Sequence, residues 1–180
     1  MCGRGGPYAK KRQFMNGPIT SLTRLGWGLA TVVFVLDQAS KWLVLELFSD
    51  NPRMIEVLPF FNLVLAWNRG ISFGMFGGLG DWGPWILVGV ALVICVVLAL
   101  WLAKAENRFT AVGLGLIIGG AVGNIVDRVR FHAVVDFLDV HAFGYHWPAF
   151  NVADSAICIG AVILILDSLF FNVEKPKLDT

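Results

Sequence analysis

The chain has 180 residues, of which 57% are hydrophobic and only 15% are Asp, Glu, Lys or Arg, and its formal net charge is +1. Soluble domains are nearer a quarter charged, so this composition excludes an ordinary soluble protein and requires a membrane to cover its apolar surface. The near-zero charge gives no electrostatic case for a nucleic-acid partner.

Residues 1–24 read as a cytoplasmic extension, Gly-rich and carrying the basic run "AKKR" at 9–12. The apolar stretch that follows is too long for a signal peptide, lacks a clear small-x-small cleavage site and contains Asp37 and Lys41, so it reads as a retained span. The first span is "LGWGLATVVFVLDQASKWLVLELF", 25–48. Asp37 and Lys41 stand four residues apart on one helix face, where pairing lowers the cost of burying each. Their role is either to hold helices together or to orient substrate or a reacting carboxylate.

Residues 49–83 form an external segment. Within it, "MIEVLPFFNLVLAWNRGISFGMF" (54–76) is rich in β-branched and aromatic residues and predicts a small sheet or platform at the membrane surface. Asn68 can bond a substrate backbone and Gly70 can permit close approach or positive φ, although a simple turn explains both. The second span, "PWILVGVALVICVVLALWLA" (84–103), has no charge. The third, "FTAVGLGLIIGGAVGNIV" (109–126), is studded with glycine at GxxxG spacing, which permits close helix contact. A second external segment, 127–148, precedes the fourth span, "AFNVADSAICIGAVILILDSLFF" (149–171), and a tail of 172–180. At about 1.5 Å per residue each span can cross a core of roughly 30 Å.

Basic residues set the orientation. Lys10, Lys11, Arg12, Arg24, Lys104, Arg108, Lys175 and Lys177 outnumber Arg53, Arg69, Arg128 and Arg130, which places both termini in the cytoplasm. Trp67, Trp82, Trp85 and Trp147 then form an aromatic belt on the outer side. Cys2, Cys95 and Cys158 include no CxxC, so neither a disulfide framework nor a zinc site is expected.

The third span runs outward and ends in Asn124, Asp127 and Arg128; the fourth runs inward and begins with Asn151 and Asp154. Each Asn-x-x-Asp occupies one helix face, so antiparallel helices can bring two Asp and two Asn to one depth. Carboxylates in a membrane interior are costly and often functional. A close pair shares a proton, and one member can then take a proton from water while the other polarises an amide carbonyl. Two other readings stay open: Asp154 caps its helix and Asp127 pairs at the interface, or the carboxylates relay ions or protons. Arg128 can contact a lipid phosphate, fix a carboxylate or anchor the interface. Asp136 reads as support for the external segment and Asp167 as structural. Asp139, His132, His141 and His146 match no zinc motif.

"DQASK" (37–41), "NRGISF" (68–73), "GGAVGNIVDR" (119–128), "VVDF" (134–137) and "FNVADS" (150–155) together resemble the lipoprotein signal peptidase, or signal peptidase II, family of bacteria. The resemblance covers about 25 to 171 in the family's order. It implies an all-α membrane protein of four transmembrane helices with a small external β platform. It implies a multi-pass protein of the bacterial inner membrane, working as a monomer with its active site facing the periplasm. The aspartic pair is carried onto Asp127 and Asp154, supported by Asp37, Lys41, Asn68, Gly70, Asn124, Arg128, Asp136 and Asn151. The implied partners are membrane lipid and a diacylglyceryl-modified prolipoprotein, cleaved before its lipidated cysteine. Globomycin-like inhibitors would occupy the same site, and no cofactor or metal is implied. Ser72 stands where the family commonly has Ala, a small polar change, and the N-terminal extension is longer than the family usually needs.

Overall fold

The computed structural model describes residues 21–50, 54–70 and 82–170. Expectations for 1–20, for 71–81 (with Ser72) and for 171–180 lie outside the described residues. The elements in chain order are α1 (Ser21–Leu47), β1 (Ile55–Leu58), β2 (Phe61–Asn68), α2 (Gly83–Leu102), α3 (Arg108–Phe131), β3 (Val134–Ala142), β4 (Tyr145–His146) and α4 (Val152–Phe170). All four helices are long and apolar enough to cross a membrane. They leave large apolar side chains bare, such as Val32 and Leu43 on α1, Val93 and Val97 on α2, and Val162 and Leu169 on α4. In water that surface would be prohibitive; in lipid it needs no cover.

α3 is the central helix and packs against α1, α2 and α4. Lipid supplies no hydrophobic drive between helices, so close contact must come from small residues. Gly120 and Gly113 face α4: a Cβ on Gly120 would stand 2.5 Å from the Ala153 carbonyl oxygen, and one on Gly113 would stand 3.0 Å from that of Gly160. Gly119 faces α1, where a Cβ would come 2.5 Å from the Ala30 carbonyl oxygen. These contacts make α4 antiparallel to α3. On α1, Gly26, Ala30 and Asp37 meet Gly115, Gly119 and Gly123 in rising order, so α1 and α3 run parallel. Both directions agree with a four-span chain.

The external platform is one antiparallel sheet in the order β1-β2-β3-β4. Val44 and Phe48 at the end of α1 bury against Phe137 of β3, which seats the sheet on the bundle. α3 runs five residues past the expected end of its span, to Phe131, so Asp127 and Arg128 belong to the helix. His132 then caps it at φ 57, and this left-handed turn sends β3 straight back over the helix end. In β3, the N–H groups of Phe137 and Leu138 both donate to the Phe150 carbonyl, at 3.0 and 2.8 Å. That link holds the start of α4 beside Asp136.

Candidate active site

The ends of α1, α3 and α4 enclose a buried polar cluster under β3. Lys41 is its hub. Its Nζ lies 2.9 Å from Asp37 Oδ2 and 2.8 Å from Asp127 Oδ2, and donates to Asn124 Oδ1 at 3.0 Å. Three acceptors use all three ammonium hydrogens. Asp37, fully buried, also accepts from the Ala153 N–H at 2.9 Å, placing negative charge at the amino end of α4. Gly123 leaves room for this carboxylate, since a Cβ there would collide with it.

Asp127 likewise makes three bonds. Besides Lys41, it accepts from the Val135 N–H at 3.1 Å through Oδ2 and from Gln38 Nε2 at 3.0 Å through Oδ1. Gln38 also donates to Asp37 Oδ2 at 3.2 Å and the Gly123 carbonyl at 3.3 Å, tying α1 to α3. Sequence reasoning passed over Gln38. The available signal was an amide between two charges in an apolar span, one turn before Lys41.

The two Asn-x-x-Asp faces do meet. Asn124 Nδ2 donates to Asp154 Oδ1 at 2.8 Å, and Asn151 Nδ2 donates to Asn124 Oδ1 at 3.3 Å. Asn151 and Asp154 also form a reciprocal cap of α4: the Asp154 N–H donates to Asn151 Oδ1 at 2.9 Å and the Asn151 N–H to Asp154 Oδ2 at 3.3 Å. The capping reading therefore holds, and it leaves Asp154 part-exposed at the cluster's edge.

Asp127 and Asp154 are bridged by Lys41 and Asn124. Asp127 turns to α1, where Lys41 and Gln38 bind it. Asp136 feels the charge of Asp154. It is buried on β3, and Asn151 Nδ2 donates to its Oδ1 at 2.7 Å. Burial first, and then the Asp154 charge, pushes its carboxyl from 3.8 up to about 6, although Asn68, Asn151 and Lys41 oppose the rise. Asn68 thus reaches the cluster from β2, where its neighbour Trp67 pairs with Val135. Gly70 does not join it. Its N–H donates to Asn68 Oδ1 at 2.8 Å and its φ is 71, a turn that aims Asn68. Arg128 faces Asp154, Asp136 and Asp127, with Nη1 donating to the Asn124 carbonyl at 3.4 Å. Its buried Nε has no partner among the described residues.

The remaining acids and histidines lie apart. Asp139 accepts from Asn62 Nδ2 at 2.9 Å and pairs with His146 Nδ1 at 2.9 Å. Burial opposes its ionisation, but Asn62 and His146 outweigh that and hold its carboxyl below the usual range. Among the described residues no three His, Cys, Asp or Glu side chains are grouped to hold a metal ion.

The family described as "Signal peptidase (SPase) II" matches residues 29–170. This chain belongs to that family. Among relatives named lipoprotein signal peptidase, that of Rhodopseudomonas palustris is 46% identical over 151 residues, covering 81% of this chain and 92% of its own. That of Caulobacter vibrioides is 43% identical over 166 residues, covering 89% and 96%. A solved bacterial membrane enzyme matches with a TM-score of 0.71 at 30% identity, over 86% of this chain and 93% of its own. As a signal peptidase II, the chain is a multi-pass membrane hydrolase of lipoprotein processing, and the Lys41 cluster lies inside the matched region.

Proposed function

We propose that the chain is an aspartic endopeptidase that removes the signal peptide from diacylglyceryl-modified prolipoproteins, cleaving before the lipidated cysteine, with Asp136 and Asp154 as the reacting pair. The observation that carries the pairing is the Asp136 carboxyl. It sits near 6 because it is buried and feels the Asp154 charge, while Asp127 is paired with Lys41 and accepts two further bonds. Asp127 is committed to the Lys41 ion pair, which Asp136 and Asp154 stay outside.

Four carboxylates, Asp37, Asp127, Asp136 and Asp154, face two cations, Lys41 and Arg128. Holding protons costs less than holding the excess charge in so dry a place. The proton of the Asp136–Asp154 pair belongs to the pair. The ionised member takes a proton from a water as that water's oxygen bonds to the scissile carbonyl carbon. The protonated member donates to the carbonyl oxygen. A gem-diol results, and it collapses as the C–N bond breaks and a proton passes to the cysteine amine. Asn124 and Asn151 orient one carboxyl each. Asn68 and Arg128, at the edge, fit the role of holding the extended substrate, with Gly70 aiming Asn68. Asp37, Lys41, Gln38 and Asp127 lock the three helices in register. The signal helix and the acyl chains stay in lipid, and the site faces the periplasm with both termini cytoplasmic. The chain works as a monomer, and globomycin-like inhibitors bind across the pair.

The test is cleavage of a purified diacylglyceryl-modified prolipoprotein, with the unmodified precursor as control. Asp136→Asn and Asp154→Asn should each abolish turnover. Asp127→Asn should cost stability and retain measurable turnover. Turnover by Asp136→Asn near that of the unaltered protein, with none by Asp127→Asn, would return the reacting role to Asp127.

A further inference from the structure

A second buried polar cluster lies at the opposite end of α3 and α4, where the peptidase chemistry does not reach. Asn107 caps α3 by accepting from the Thr110 N–H at 2.8 Å. Asp167, near the end of α4, accepts through Oδ2 from Thr110 Oγ1 at 2.6 Å and from Asn107 Nδ2 at 3.0 Å. These bonds join the two helix ends. They leave the other oxygen unexplained: Asp167 is 6% exposed, and its buried Oδ1 has no partner among the described residues. A buried carboxylate oxygen without a donor is costly, so the position calls for a donor that the described residues do not provide.

The surroundings describe that donor. Asp167 lines a cavity of about 380 Å³ together with Trp101, Lys104, Glu106 and Leu164. Lys104 and Glu106 are exposed, and neither makes an ion pair among the described residues. Asp167 also borders a separate groove of about 500 Å³, whose other walls are Phe109, Ile163, Leu166 and Phe170. A polar cavity holding charges of both signs therefore adjoins a hydrocarbon groove, with one carboxylate common to both. α2 ends and α3 begins here, so the cavity opens at a membrane–water boundary.

The geometry points to a binding site for a zwitterionic glycerophospholipid with a primary ammonium headgroup. The ammonium donates to Asp167 Oδ1 and faces Glu106, the phosphate faces Lys104, and one acyl chain lies in the groove. A quaternary choline has no N–H to give Oδ1. An anionic glycerol headgroup meets two carboxylates.

The full-length protein in mild detergent, incubated with equal amounts of phosphatidylethanolamine, phosphatidylcholine and phosphatidylglycerol, tests this by native mass spectrometry. The unaltered protein should retain phosphatidylethanolamine about tenfold over either rival. Asp167→Asn should reduce that retention to the level of phosphatidylcholine. Glu106→Ala and Lys104→Ala change exposed side chains only. Each should lower retention several-fold with unfolding temperature unchanged, which keeps the test decisive if Asp167→Asn fails to fold. Equal retention of the three lipids overturns the site, as does undiminished preference in Glu106→Ala and Lys104→Ala. Lipid retention is read without substrate, so failure of the peptidase reading would leave it untouched.

Discussion

At one end of α3, Asp167 is held by two neutral donors, the Thr110 hydroxyl and the Asn107 amide. At the other end, Lys41 binds Asp37 and Asp127 together while Asp136 and Asp154 stay outside that ion pair. Both ends use a carboxylate to fasten a helix terminus. They differ in charge balance. The Asp167 end has one buried acid, tied to a helix start. The Lys41 end gathers several acids around one ammonium, and there like charges crowd one another. Fastening helices and the proposed acid–base chemistry are thus separable within one cluster, divided by which carboxylates Lys41 binds.

The two ends should differ most at the proposed reacting pair. Asp136→Asn or Asp154→Asn should lower cleavage about a thousand-fold, within the range for loss of an acid–base group, with helicity and membrane insertion retained. The fastening half should behave in the opposite way. Lys41→Met leaves two buried carboxylates without their cation and should cost about 3–5 kcal/mol, seen as a large drop in unfolding temperature in detergent. If Lys41→Met is as stable as the unaltered protein, the hub is not the fastener.

A pH series sharpens the same division. Asp136 binds its proton more tightly folded, at about 6, than unfolded, at 3.8. Its contribution is therefore fully present below about 3.8 and lost as pH rises through about 6. The span is about 3 kcal/mol for a shift of this size. Unfolding measured from pH 4 to 8 should show this fall, and Asp136→Asn should flatten it. The smallest effect belongs to the platform's rim. His146→Ala removes a half-exposed partner of Asp139 and should cost under about 1 kcal/mol without changing cleavage.

Much of this was legible in the residues. Four apolar runs marked the spans, and each appears as a helix. The glycines of 113–123 marked the close-packed helix, and the β-branched run near 54–76 marked β1 and β2. The Asn-x-x-Asp repeat rightly drew α3 and α4 together, because i,i+3 residues share a face. Less legible was that Asp136 comes near enough to feel the Asp154 charge. Asp127 lies one turn from Asn124 and looked like the natural partner, whereas Asp136 sat in a segment that read as external support.

Composition and period alone determined that this chain enters a membrane four times and buries acids near one end of two helices, since hydropathy and 3.6-residue spacing are local properties. Only the tertiary structure decided the pairing. The left-handed cap at His132 turns β3 back, and the bond to Phe150 carries Asn151 and Asp154 to Asp136. Lys41 and Gln38, arriving from a helix some eighty residues earlier, claim Asp127. No local pattern encodes which of two nearby carboxylates a distant ammonium will neutralise.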